Sequence, residues 1–79
     1  MKLTYDPRYN VAYISLRERS AEVETVRVGE DLAVDVDSDG NVVGIEFLNA
    51  NNQLRGAGSG QLIVVNEADG NTTALSLAV

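Results

Sequence analysis

The pair Asp39-Gly40 constrains this chain more than any other feature, because it sits between two segments whose side chains alternate in polarity. Asp-Gly at such a corner is the strongest short-range signal for a β-hairpin, since both residues tolerate the backbone geometry of a tight turn. The flanks are Leu-Ala-Val-Asp-Val-Asp over Leu32–Asp37 and Val-Val-Gly-Ile-Glu-Phe-Leu over Val42–Leu48. With Asp39-Gly40 as a two-residue tip, Asp37 faces Val42, Val36 faces Val43, Val34 faces Ile45 and Leu32 faces Phe47. One side of the ribbon is then Leu32, Val34, Val36, Val43, Ile45 and Phe47. The other carries Ala33, Asp35, Asp37, Val42, Gly44 and Glu46. A slip of one residue would mix the two sets, so the corner and the polarity pattern predict the same register. The apolar side needs a cover, and the preceding strands are the expected one.

Those preceding segments also read as strands. Lys2–Tyr5 and Val11–Leu16 flank Asp6-Pro7-Arg8-Tyr9-Asn10, where Pro7 sets φ and Asp6 and Asn10 accept turn geometry. Leu3 and Tyr5 are expected on one face with Ala12, Ile14 and Leu16. Arg17–Ser20 is a charged loop, and Glu22–Val28 alternates as a third strand, ended by Gly29-Glu30-Asp31. After Leu48 the pattern changes. Residues 49–60 hold three asparagines and three glycines. A helical turn is expected around Leu48–Leu54, and a flexible connector over Gly56–Gly60. A second hairpin follows, Gln61–Val65 and Thr72–Val79, around a turn at Asn66–Asn71 that contains a second Asp-Gly pair.

Length sharpens the problem of the core. At 79 residues, a single domain buries only about 60–65% of its unfolded surface. Chains of this size usually add disulfides, metals or self-association. The sequence has no cysteine and no histidine, which removes disulfides and the common zinc ligand sets. Twelve acidic residues against six basic ones give a net charge of -6. That balance argues against nucleic acid and anionic membranes as partners, and permits a basic protein. No apolar stretch reaches the roughly 18 residues of a membrane span, and Met1-Lys2-Leu3-Thr4 does not open like a signal peptide. A cytoplasmic location is expected.

One motif imitates a metal site. Asp35, Asp37, Asp39, Gly40 and Glu46 satisfy the calcium-loop pattern D-x-[DN]-x-[DN]-G-x5-E. Such a loop works by coiling three carboxylates and a bidentate glutamate around one ion, between two helices. Here both flanks are strands, and a hairpin holds Asp39 at its tip, away from Asp35 and Glu46. The stronger reading is an Asp-rich turn. The alternative is weak capture of a divalent cation by Asp35, Asp37 and Asp39, with an affinity near ~10⁻⁴–10⁻³ M.

Catalytic candidates fail on chemistry. Ser15, Ser20, Ser38, Ser59 and Ser76 have no histidine to act as base. Lys2 is the only lysine. The glycines of residues 56–60 neither follow a strand with a Lys-Ser/Thr ending nor open a helix, so a linker is the better reading than a phosphate loop. Tyr5, Tyr9 and Tyr13 with Arg8 form a small aromatic and basic group, read as core and turn packing rather than a contact surface. No catalytic, cofactor-binding or metal residue is assigned, and a non-enzyme is expected.

The opening Lys2-Leu3-Thr4-Tyr5-Asp6, the run Val11-Ala12-Tyr13-Ile14-Ser15-Leu16 and the segment from Leu32 through the Asp-rich turn to Gly44-Ile45-Glu46-Phe47-Leu48 together resemble a short bacterial family, domain of unknown function 2283, over about residues 1–50. The resemblance implies a small β-rich protein without assigned enzymatic activity. For some members it implies a role as the small partner of a ribonuclease-like toxin. Residues 51–79 depart from the family's pattern.

The expected fold is mainly β: a small antiparallel sheet or compact β-sandwich of five to seven strands built from hairpins, with at most a short helical turn near residues 48–55. Residues 1–79 form one domain, with a family-like core (1–50), a connector (51–60) and a C-terminal hairpin (61–79) that extends the sheet or packs on a second copy. The expected function is a non-enzymatic protein-interaction module, in its most concrete form an antitoxin-like partner of a basic protein. The alternatives are a self-associating structural protein and a weak calcium-binding module. A homodimer is expected, with no cofactor.

Overall fold

Seven strands and one short helix follow the predicted order in a computed structural model that describes residues 1–18, 22–56 and 60–79. They are β1 (Lys2–Asp6), β2 (Val11–Ser15), β3 (Val23–Arg27), β4 (Leu32–Asp37), β5 (Val42–Phe47), α1 (Ala50–Arg55), β6 (Gln61–Val65) and β7 (Thr72–Ser76). The first five form one antiparallel sheet in the order β1-β2-β5-β4-β3, and β6 with β7 form a separate two-stranded sheet. Beside β2 lies β5, so the chain from β2 to β5 follows a Greek-key order. The connector residues 57–59 and part of the predicted charged loop (residues 19–20) lie outside the described residues.

The sheet's faces follow from its register. Leu3 pairs with Ile14, Ile14 with Ile45, Ile45 with Val34 and Val34 with Val26, giving an aliphatic row across all five strands. A second row runs Tyr5, Ala12, Phe47, Leu32. Both rows lie on one face, since side chains alternate along each strand and paired residues share a side. The earlier strands therefore do not lie over the Leu32–Phe47 hairpin, as expected from the sequence. They lie beside it and extend its apolar face.

The hairpin differs from the expected one at its tip. Asp37 N–H donates to Asn41 O at 2.9 Å, and Gly40 N–H donates to Asp37 O at 3.1 Å. The loop is thus three residues, Ser38-Asp39-Gly40, with Gly40 at φ 84°, the geometry of a turn closed by a glycine bulge. The longer loop displaces the register by one, so Val36 pairs with Val42 and not with Val43. A second irregularity next to Val36 restores Asp35 opposite Gly44, and the predicted pairs Val34–Ile45 and Leu32–Phe47 follow. The extra residue leaves Val43 1% exposed and turns Val42 out to 39%.

The cover of the apolar face comes from the C-terminal third. Asn10 (φ 56°) and Asn49 (φ 51°) both adopt left-handed backbone. Asn10 Oδ1 accepts from Asn51 N–H at 2.9 Å, and Asn10 O accepts from Ala50 N–H at 2.9 Å. The β1–β2 turn thereby satisfies donors at the start of α1 that the helix's own preceding residue leaves open. The strand predicted over Thr72–Val79 stops at Ser76. Beyond it the pairing with β6 runs on by one residue, Leu77 N–H donating to Gly60 O at 2.7 Å, and Arg55 Nε donates to Val79 O at 2.7 Å. Ala50 and Val79 are buried there.

Candidate functional site

The polar face of the large sheet has its own centre. Opposite Asp35 on β4 stand Gly44 on β5 and Thr25 on β3, with Ser15 on β2 beyond Gly44. Gly44 leaves a slot in which the Tyr13 ring lies, and a Cβ at position 44 would run into the Tyr13 hydroxyl and ring. Through that slot Tyr13 Oη donates to Asp35 Oδ2 at 2.8 Å, and Thr25 Oγ1 donates to Asp35 Oδ1 at 2.6 Å. Asp35 is 7% exposed. A buried carboxylate is tolerable when donors surround it, and here they come from the adjacent β3 and, across β5, from β2. No side-chain polar atom among the described residues is buried without a partner.

The residues of the calcium-like motif are dispersed among other tasks. Asp35 serves this sheet-face cluster. Asp37 Oδ1 accepts from Asp39 N–H at 3.0 Å and from Asn41 N–H at 2.9 Å, closing the turn. Those amides, Asn41 first, hold the Asp37 carboxyl below its ordinary value of 3.8. Asp39 is exposed at the tip, and Glu46 pairs with Tyr13 on one side and Ala33 on the other. Among the described residues, no three or more of the acidic side chains converge as metal ligands would.

The tyrosines are also separated. Tyr5 lies on the apolar face and donates to Asn10 Oδ1 at 3.1 Å. Tyr13 lies on the polar face. Tyr9 is exposed, with the Arg8 guanidinium 5.8 Å from its ring centre. Arg8 is in turn held by Asp6 at 3.0 Å, which keeps the Asp6 carboxyl below its ordinary value.

What remains conspicuous is apolar surface. All ten residues of β6 and β7 are exposed, including Leu62, Ile63, Val64, Val65 and Leu75. Their pairing puts Leu62, Val64, Thr73 and Leu75 on one face and Gln61, Ile63, Val65, Thr72, Ala74 and Ser76 on the other. The first face has its base over the large sheet. There Leu62, Leu75 and Leu77 meet Leu3, Ile14 and Leu54 around a gap of about 240 Å³. The second face is turned away, and the hairpin is an arm held at one end. Alternation in the sequence predicts this hairpin but not its exposure, since it says which residues share a face and not whether the face is covered.

Among the described residues, no helix is long and apolar enough to cross a membrane. Comparison with curated proteins and with solved structures gives no match. A family model described as "Protein of unknown function (DUF2283)" matches residues 2–51, which spans β1 to the start of α1 and leaves the arm outside. With well over half of its length covered by that model, the chain belongs to the DUF2283 family of proteins of unknown function.

Proposed function

We propose that this protein is a non-enzymatic protein-interaction module whose contact element is the β6–β7 arm. The observation that carries this reading is the exposure of every strand residue of the arm. A lone two-stranded hairpin is marginal in water, and such a ribbon gains stability only by packing against something else. Contiguous exposed aliphatics of this kind mark an interaction surface. Chemistry favours the same class: the chain has no histidine or cysteine, and its one buried carboxylate among the described residues is engaged by Tyr13 and Thr25.

Amide hydrogen exchange on dilute protein tests it. The arm's amides exchange far faster than those of β2, β4 and β5, and slow when the partner is present. Arm amides as protected as the central strands in a dilute monomer would mean that the arm is self-sufficient, and the reading falls.

A second reading has a separate basis. Glu24 and Asp37 rim a shallow concavity of about 460 Å³ on the β3–β4 side, and the chain carries a net charge of -6. An antitoxin-like grip on a basic protein would use this side, steered by charge and weakened by salt. Glu24→Lys would abolish that binding while arm variants left it intact.

A further inference from the structure

We infer that the partner of the arm is a second copy of this chain, in a two-fold dimer whose two arms form a layer between the two large sheets. This rests on the arm being an interaction element and adds the occupant and the surface it meets.

Surface area is the first argument. A folded chain of 8.5 kDa is expected to expose roughly 4,700 Å², and this one exposes 5791 Å². The excess, roughly 1,100 Å², is close to the roughly 800 Å² that each partner contributes to a stable interface of standard size. Dimensions agree. The radius of gyration is 14.1 Å, against roughly 12 Å for a compact domain of this length.

Complementarity is the second. The base of the arm's inner face, Leu62 and Leu75, sits over the β1–β2 half of its own sheet, at Leu3 and Ile14. The apolar face continues through Ile45 and Val34 to Val26, where exposure reaches 44%. One chain thus carries two largely uncovered surfaces: the β3–β4 half of the apolar sheet face, where Glu24 opposite Val36 borders Val26 and Val34, and the arm beyond its base, with Ile63 58%, Val65 53% and Val64 53% exposed. Facing two sheets across a two-fold axis lets each arm keep its inner face on its own sheet. Its outer face then meets Val26 and Val34 of the opposing copy. Every contact occurs twice and the assembly closes, leaving no free copy of either surface.

Charge is the third. At a net charge of -6 two copies repel, so their contact has to be largely apolar; on the sheet side it centres on Val26 and Val34, with Glu24 at its border. The arm's strands contain no charged residue, and Glu67 and Asp69 are confined to its tip.

Sedimentation of the full chain from low to high micromolar concentration tests the inference, with Ile63→Lys and Val26→Glu as variants. Both positions are already exposed in a single chain, so the variants keep the wild-type circular dichroism. Wild type is expected to be a dimer, and each variant to weaken it by at least roughly 30-fold, the factor of a hot-spot substitution. Mixing the two variants should restore a heterodimer. One arm then meets an unchanged sheet, and the other sets its introduced lysine near the glutamate introduced on the opposing copy. A dimer that survives Val26→Glu overturns the arrangement. A wild type that stays monomeric with freely exchanging arm amides overturns the second copy as partner, yet spares the arm as an interaction element. A monomer with protected arm amides overturns both.

Discussion

Tyr13 reaches Asp35 across a strand that lies between them: its hydroxyl donates to the carboxylate at 2.8 Å over the bare backbone of Gly44. β2 and β4 are not neighbours, and the side-chain bond joins them through the gap that one missing Cβ provides. The requirement at Gly44 is for space.

Gly44→Ala should therefore destabilise the fold by about 2–3 kcal/mol, from overpacking together with loss of the Tyr13–Asp35 bond. Urea unfolding followed by circular dichroism measures it. A change within about 0.5 kcal/mol, the range of ordinary surface substitutions, would show that the slot is not filled by Tyr13.

Tyr13→Phe removes the donor and keeps the ring. The expected loss is about 1–2 kcal/mol, since Asp35 keeps its bond from Thr25 but stays buried. In a double-mutant cycle with Thr25→Val the two losses should not add, because both hydroxyls serve one carboxylate.

Asp37 and Asp6 make stability depend on acid. Both carboxyls titrate below their ordinary value of 3.8 in the folded chain, Asp37 because of backbone amides, Asn41's first, and Asp6 because of Arg8. A depressed folded value means that the unfolded chain takes up the proton first. Their contribution is therefore present above pH about 4 and is lost as the pH falls below it. Asp37→Asn keeps the turn's acceptor oxygen and removes the charge. Thermal melts from pH 6 to pH 2.5 should show a shallower acid decline for Asp37→Asn than for wild type.

Calcium should not move the melting midpoint. Asp35 is committed to Tyr13 and Thr25, and Asp37 to the turn amides. A ligand that binds only the folded form raises the midpoint, and the rise grows with the logarithm of its concentration above Kd. A rise with millimolar calcium that is absent with millimolar sodium would contradict this.

Gly40→Ala tests the three-residue loop. With φ at 84°, an alanine there is expected to cost about 1 kcal/mol. The same substitution at Gly29, where a Cβ meets nothing within 4 Å and φ lies outside the left-handed region, should be close to neutral.

Alternation and turn chemistry settled the local questions. Leu3 and Tyr5 share a face with Ile14 and Ala12, Leu32 meets Phe47, and Gln61–Val65 pairs with Thr72–Ser76. These depend on neighbours a few residues away, and period-two patterning reports them directly. The bulge at Val43 is not legible in the same way, because alternation also fits the simpler two-residue tip. Only backbone hydrogen bonding separates the two.

By itself, the sequence determined which segments are strands, which side of each is apolar, and that no histidine- or cysteine-based chemistry is available. Only the tertiary structure decided that β5 lies between β2 and β4, bringing Tyr13, Gly44, Asp35 and Thr25 into one cluster. It also decided that the cover of the apolar face is a short helix, the C-terminal residues and the base of an arm. The reason is physical: hairpin pairing is a contact between chain neighbours, whereas strand order and face coverage are contacts between residues far apart, chosen by packing the whole chain at once.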